Sequence, residues 1–200
     1  MSEIKVNKIS PVSDSGTITL GDSGDTFTLP SGATFVNSGT ATGFGGGKIG
    51  QVVKSQITDV ESTTAQDTFV TIATPQVTIT PSASDSTIYL SGFLNPSSPT
   101  TEHFQFQLFR DTTQIGMGDA SGSKMRIIFG FRFDADTILA ASALTFQWID
   151  SPGDTSAHTY SLKWKGNTSN SKYLGRSYDD TDNLNYGRTP NQIVAMEILA

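Results

Sequence analysis

Five stretches in the second half of the chain alternate apolar with polar or small residues at a period of two. That pattern dictates β-strands with one buried face, because successive side chains on a strand point to opposite sides. Phe104-Phe106-Leu108 stand against Gln105 and Gln107, and Ile127-Phe129-Phe131-Phe133 against Gly130, Arg132 and Asp134. Leu144-Phe146-Trp148 alternate with Thr145 and Gln147, Tyr160-Leu162-Trp164 with Ser161 and Lys163, and Val194-Met196-Ile198 with Ala195 and Glu197. Val77-Ile79 and Ile88-Leu90 make shorter pairs. Turn clusters separate them: Pro81-Ser82-Ala83-Ser84-Asp85, Asn95-Pro96-Ser97-Ser98-Pro99, Asp119-Ala120-Ser121-Gly122 and Ser151-Pro152-Gly153-Asp154. Strands at this spacing predict an all-β, antiparallel, jelly-roll-like β-sandwich over residues 49–200. The one helix-like stretch, Asp136-Thr137-Ile138-Leu139-Ala140-Ala141, is a turn or two long.

Composition agrees with strands and turns. Charged residues make up 16% of the chain, below the usual quarter or so. Ser, Thr and Gly replace them, which leaves little to build long helices from. The net charge of −6 and the lack of any Lys/Arg cluster argue against a nucleic-acid partner. No apolar run approaches the roughly 20 residues of a membrane span, so membrane insertion is not expected. The opening Met1-Ser2-Glu3-Ile4-Lys5 lacks the apolar region of a secretory signal. Without cysteine there is neither a disulfide nor a thiolate metal site, and no cofactor is called for. A virion component released by lysis fits these facts, and so does a cytosolic protein.

Before Gly43-Phe44-Gly45-Gly46-Gly47 the chain reads differently. Thr17-Ile18-Thr19-Leu20 runs into Gly21-Asp22-Ser23-Gly24-Asp25, Thr26-Phe27-Thr28-Leu29 into Pro30-Ser31-Gly32, and Ala33-Thr34-Phe35-Val36 into Asn37-Ser38-Gly39. Each short β piece ends in a turn signal. Each also offers only one or two apolar side chains, too few to offset about 1–2 kcal/mol of backbone entropy per ordered residue. Such repeats bury their apolar edge only against neighbours, and the neighbours expected here are identical chains. Three copies wound about one axis would enclose Ile18, Leu20, Phe27, Leu29 and Phe35. The competing reading is an extended Gly/Ser/Thr arm. Residues 17–44 are therefore read as an intertwined shaft and 45–48 as a glycine hinge. The glycine triplet lacks the spacing and the Lys-Ser/Thr of a phosphate loop.

Chemistry-bearing residues are sparse. His103 and His158 each open an alternating strand, no Gly-x-Ser-x-Gly elbow occurs, and nothing points to a triad. Their expected roles are structural or at strand ends, and no catalytic residue is assigned. Asp179, Asp180 and Asp182 cluster oxygen ligands of the kind calcium takes, but without EF-hand spacing; Asx turns are the alternative. Asp22 and Asp25 carry the same ambiguity. Asp134/Asp136 and Asp179/Asp180/Asp182 are the carboxylates a glycosidase would draw on. The Phe residues, Trp148 and Trp164 fall at core parity. Tyr173, Tyr178 and Tyr186 instead sit in a polar tract, Asn167 to Asn191, with Arg176 and Arg188. Rigid amphipathic Tyr beside adaptable polar residues is the composition of glycan- and protein-contacting loops. Tyr173, Arg176, Tyr178, Tyr186 and Arg188 are the candidate receptor-binding set, with intersubunit contact or plain surface as alternatives.

Several tracts carry a family likeness. They are Ser2-Glu3-Ile4-Lys5-Val6-Asn7-Lys8-Ile9-Ser10-Pro11, the run from Thr19 to Ala33, Gly39-Thr40-Ala41-Thr42-Gly43-Phe44-Gly45, Tyr186-Gly187-Arg188-Thr189-Pro190 and Ala195-Met196-Glu197-Ile198. Through them the chain resembles short tail-fibre or tail-tip virion proteins of marine, cyanophage-like bacteriophages. The likeness is sharp over about the first 45 residues and the last 15, and loose between. It implies a homotrimer made in the host cytoplasm and carried on the phage tail. Residues 1–16 would attach to other tail proteins, and the knob would meet a bacterial surface glycan or outer-membrane protein. The expectation is therefore a non-enzymatic attachment fibre. A purely structural virion part, such as a capsid decoration or tail adaptor, is the alternative, and a polysaccharide-cleaving fibre the second. Phe27→Asp should convert the assembly to monomers or aggregates, since it would place three like charges on one axis; light scattering would read this, and an unchanged oligomer would count against the intertwined shaft.

Overall fold

The computed structural model describes residues 9–11, 17–19, 22–26, 28–34, 48–134 and 143–200. The chain divides into two compact units, Met1–Phe44 and Gly45–Ala200. In the first, the expected turns form. Asp25 N donates to Asp22 O at 3.0 Å and Ala33 N to Pro30 O at 3.0 Å. Gly32 takes φ +84°, the left-handed backbone that the third position of a Pro-Ser-Gly turn requires. Ile18 and Leu29 are exposed. Leu20, Phe27, Phe35, Gly45-Gly46-Gly47 and the stretch 136–141 lie outside the described residues.

The second unit is an antiparallel β-sandwich, and its described residues contain no helix. Its strands are β1 (Ile49–Ile57), β2 (Glu61–Thr63), β3 (Val70–Thr71), β4 (Val77–Ile79), β5 (Thr87–Leu94), β6 (Pro96–Ser97), β7 (Glu102–Arg110), β8 (Thr113–Ile115), β9 (Phe129–Phe133), β10 (Leu144–Asp150), β11 (His158–Lys165), β12 (Lys172–Leu174) and β13 (Asn191–Ile198). One sheet runs β1-β13-β5-β10. The facing sheet runs β3-β11-β7-β8, with β4 also on β11 and β9 also on β7. A small third sheet runs β2-β12-β6.

Between the two large sheets lies a layer of aromatic rings. Phe104 stacks on Trp164 at 6.3 Å and on Phe131 at 5.2 Å, and Phe106 stacks on Phe129 at 4.6 Å. Phe129 in turn meets Phe146 of the other sheet at 5.9 Å. Offset stacks at these distances add about 0.5–1.5 kcal/mol per pair beyond area burial. Ile88, Leu90, Ile193 and Ala195 close the layer from the four-stranded sheet. The expected faces of β7 and β11 and the pairs Val77-Ile79 and Ile88-Leu90 are buried as read.

Three expectations about faces are corrected. In β13 the core face is Ile193, Ala195 and Glu197, so Val194, Met196 and Ile198 point outward. The reason is a buried carboxylate. Glu197 accepts from Gln51 Nε2 at 2.8 Å, Ser82 N at 2.6 Å and Ser82 Oγ at 2.7 Å, and three donors offset the desolvation that would otherwise turn it to water. Trp148 is 38% exposed. Its register partner Leu90 is buried, but among the described strands β10 is the sheet edge, so the indole forms a rim beside Gly116. Finally, Ile128 rather than Ile127 packs on the core, because β9 begins only at Phe129.

The third sheet is anchored by a buried ion pair. Lys172 and Glu102 are fully buried with Nζ and Oε2 3.6 Å apart. Glu102 also accepts from Asn167 N, from Thr168 N at 3.1 Å and from Thr168 Oγ1 at 2.6 Å. Lys172 Nζ donates to the carbonyls of Thr168 at 2.6 Å and Asn170 at 2.9 Å. Burial pushes the Lys172 ammonium down, and Glu102 works against that. Position 166 must be glycine, because a Cβ there would meet Lys172 Cε and the Glu102 carboxylate. Removing one member of such a pair costs about 3–5 kcal/mol, while replacing both with apolar residues can be neutral. Glu102→Ala should therefore lower the unfolding free energy by about that amount in urea, and Glu102→Met with Lys172→Met should restore most of it.

Candidate functional site

β12 places Tyr173 at the foot of a long loop. Gly175 turns the chain with φ +88°. Thr189 N then donates to Gly175 O at 3.0 Å and Ser177 N to Gly187 O at 3.0 Å, and Arg176 and Arg188 face each other across an antiparallel bridge. Asn95 pins the base from β5's end: its side chain donates to Pro190 O at 2.6 Å, and its N–H donates to Asn191 Oδ1 at 2.9 Å. Asx turns shape the tip. Asp179 Oδ1 accepts from Thr181 N at 3.0 Å and Oγ1 at 2.6 Å, and Asn183 Oδ1 accepts from Asn185 N at 2.9 Å.

On this frame all five candidate receptor-binding residues come together. The Arg176 guanidinium lies 3.7 Å over the Tyr173 ring, a cation–π geometry, and Tyr178 sits 6.0 Å from Tyr173. Arg176 and Arg188 converge on one oxygen of Asp180, at 3.1 Å and 2.6 Å. The Tyr186 hydroxyl bonds Asp179, which raises the phenol. The hydroxyl and amide of Thr181, followed by Tyr186, hold Asp179 below the usual carboxylate range. Asp180, Thr181, Asp182, Asn183, Tyr186, Gly187 and Arg188 line a recess of about 290 Å³. Leu184 stands fully exposed at the tip. The side chains are held by one another, so little rotamer entropy is left to lose on contact.

Two of the three clustered acidic candidates are engaged otherwise, and Asp182 lines the recess. Asp179 is occupied by its Asx turn and Asp180 by two guanidiniums. Among the described residues no three His, Asp or Glu side chains converge as a metal site would. Asp22 N donates to Asp25 Oδ2 at 2.8 Å. A glycosidase acid needs a raised carboxyl pKa, the opposite of what Thr181 and Tyr186 do to Asp179. Asp134 pairs with Arg132 at 3.0 Å, and Asp136 lies outside the described residues.

His103 is exposed and His158 is buried. His158 Nδ1 lies 2.8 Å from Asp111 Oδ2 and Nε2 3.1 Å from Asp154 Oδ1. With a carboxylate on each ring nitrogen, neither is free to deprotonate a hydroxyl, so the group works as a clamp. It closes the turn after β7, where Asp111 takes φ +52°, onto the loop before β11. Asp154 and His158 stand four residues apart, but Asp111 joins them only when β7 and β11 pair, and no spacing in the sequence announces that. The sequence reading also missed a rim recess of about 410 Å³ at Tyr89, Gln147, Trp148 and Ile149. The exposed strand parity of Ile149 was its one visible signal.

No protein-family model matches the chain, and a search of curated proteins finds no match. Among solved structures, a disulfide-linked pilus of Bacillus endospore appendages is similar at TM-score 0.30 and 12% identity, over 81% of this chain and all of that one. The CBM22-1 xylan-binding domain of Paenibacillus barcinonensis Xyn10C is similar at TM-score 0.31 and 12% identity, over 78% of this chain and 97% of that one. At such values neither likeness carries a functional argument.

The clamp has a signed pH dependence. The hydrogen bond to Asp111 raises His158, with Asp154 adding to it against burial. A raised cation stabilises fully below its unfolded value near 6.5, and that stability is lost as pH rises through the folded value. For Asp111, burial works upward and is outweighed by bonds from His158 and Thr159 N, so its value is lowered; that contribution is lost in acid. Amide exchange around 154–159 should therefore slow from pH 8 to pH 6 in the native chain, beyond the intrinsic rate, and His158→Gln should flatten the response.

Proposed function

We propose that this chain is the tip of a phage tail fibre. It acts as a homotrimer whose β-sandwich knob attaches to a glycan or protein of the host surface without bond chemistry. In this reading residues 1–16 join other tail proteins, residues 17–44 form the intertwined shaft, and the assembly forms in the host cytoplasm before joining the virion. The observation that supports the attachment role is the linked cluster on one loop: Tyr173 carries Arg176 on its ring and neighbours Tyr178, Arg176 and Arg188 share Asp180, and Tyr186 and Arg188 line the recess. Aromatic and arginine side chains held ready in a polar loop are what contact surfaces concentrate. Each knob would bind weakly, and several acting together would raise avidity by about 10²–10⁴.

Arg188 is 60% exposed, so Arg188→Ala removes a contact group with little effect on the fold. Labelled full-length fibre should bind susceptible cells and not resistant ones. Arg188→Ala and Tyr186→Ala should each lower apparent affinity about tenfold, the equivalent of 1.4 kcal/mol. Unchanged binding by both variants would remove the loop from attachment. Failure of the native fibre to bind any susceptible cell would favour the purely structural virion part.

A further inference from the structure

The outward side of the β1-β13-β5-β10 sheet carries an apolar row from edge to edge. Paired residues on neighbouring strands share a face. The register sets Val52 beside Met196, Met196 beside Tyr89, and Tyr89 beside Ile149. Val52 and Ile149 at the two edges are 56% and 57% exposed, and Ile49, beside Ile198, is 61% exposed. The next two rows read Lys54-Val194-Ser91-Gln147 and Gln56-Gln192-Phe93-Thr145. Among these described positions Lys54 is the one charged residue, in a chain of net charge −6.

From this the geometry points to a contact between copies of this chain, in which Val52 at the β1 edge of one sheet meets Ile149 at the β10 edge of the next. The inference rests on the assembly reading above and names the face that reading leaves open. Three features select a second copy as the occupant. A face nearly free of charge lets two acidic molecules approach without like-charge repulsion. Its content, with Tyr, Met and Phe present and acids absent, is that of the fully buried centre of a protein interface. The row is apolar at both ends, so the β1 edge of one copy is complementary to the β10 edge of another; repeating that contact about an axis closes a ring.

Area sets the limit. Four strands about 4.8 Å apart and a seven-residue register rising about 3.3 Å per residue give a face of roughly 450 Å², against about 800 Å² per partner in a standard interface. Other parts of the chain must add contact, so the full chain is the sample to test.

Because the chain has no cysteine, engineered thiols report cleanly. Under mild oxidation Val52→Cys with Ile149→Cys should give disulfide-linked multimers on a non-reducing gel, as a covalent trimer if the ring has three members. Mixing the two single variants should give a linked dimer. Ile149→Cys with Thr71→Cys, on the facing sheet, is the control and should stay unlinked. A native mass of several chains without the 52–149 link would overturn this face and leave the assembly reading standing. A native monomer would overturn both. Binding of host polysaccharide that Tyr89→Ala abolishes, with no link formed, would assign the face to a glycan and overturn the proposal.

Discussion

Everything in the sandwich depends on the aromatic layer between its large sheets. Phe104, Phe106 and Trp164 lie side by side on β7 and β11, and Phe129 carries the stack across to Phe146. Phe104, Phe106 and Trp164 are among the largest fully buried side chains of the core. Hydrophobic burial of this kind is non-directional, but period-two placement makes it directional, because a one-residue slip would turn every ring to water. The layer therefore sets register as well as stability.

Around that layer, buried carboxylates fasten loops to strands. Glu197 holds the 82 turn, Glu102 holds residues 167–168, and Asp150 accepts from Tyr160 Oη at 2.7 Å and Arg110 at 2.8 Å. Desolvation and Asp150 raise the Tyr160 phenol. Each carboxylate has several donors, which is the condition for an ionised group to stay inside. Glu197 and Glu102 each fix a loop, while Asp150 on β10 ties that strand to β7 and β11 of the facing sheet.

The candidate contact loop inherits its rigidity from these anchors. β12 is held by Lys172 below, and β13 begins at Asn191, which is bonded to Asn95. Between those fixed points, Asp180 gathers two arginines and Tyr173 carries one of them on its ring face. An acidic protein thereby displays a small cluster of arginine, aspartate and tyrosine on a loop, while a different surface, with Lys54 its one charge among the described positions, covers the outside of one sheet. The two surfaces have different chemistry and suit different partners, one polar and exchangeable, the other apolar and suited to a second copy.

The all-β class, the strands β4, β5, β7, β10, β11 and β13, most of β9, the turn clusters between them, the buried faces of β7 and β11, and the tract where Tyr and Arg gather are legible in the residues. β1 and the short strands β2, β3, β6, β8 and β12 are not. Strand periodicity and turn chemistry are local, so a single chain displays them. The face of β13, the rim position of Trp148, the joining of Asp111 to His158 and the Glu102–Lys172 pair come from long-range packing. In each case the outcome hangs on residues far apart in sequence. Glu197 turns inward because Ser82 and Gln51 arrive as donors, and Trp148 leans out because, among the described residues, no strand lies beyond β10. A pattern of apolar residues cannot say which strands become edges, nor which charges find partners, because both follow from the pairing of distant segments.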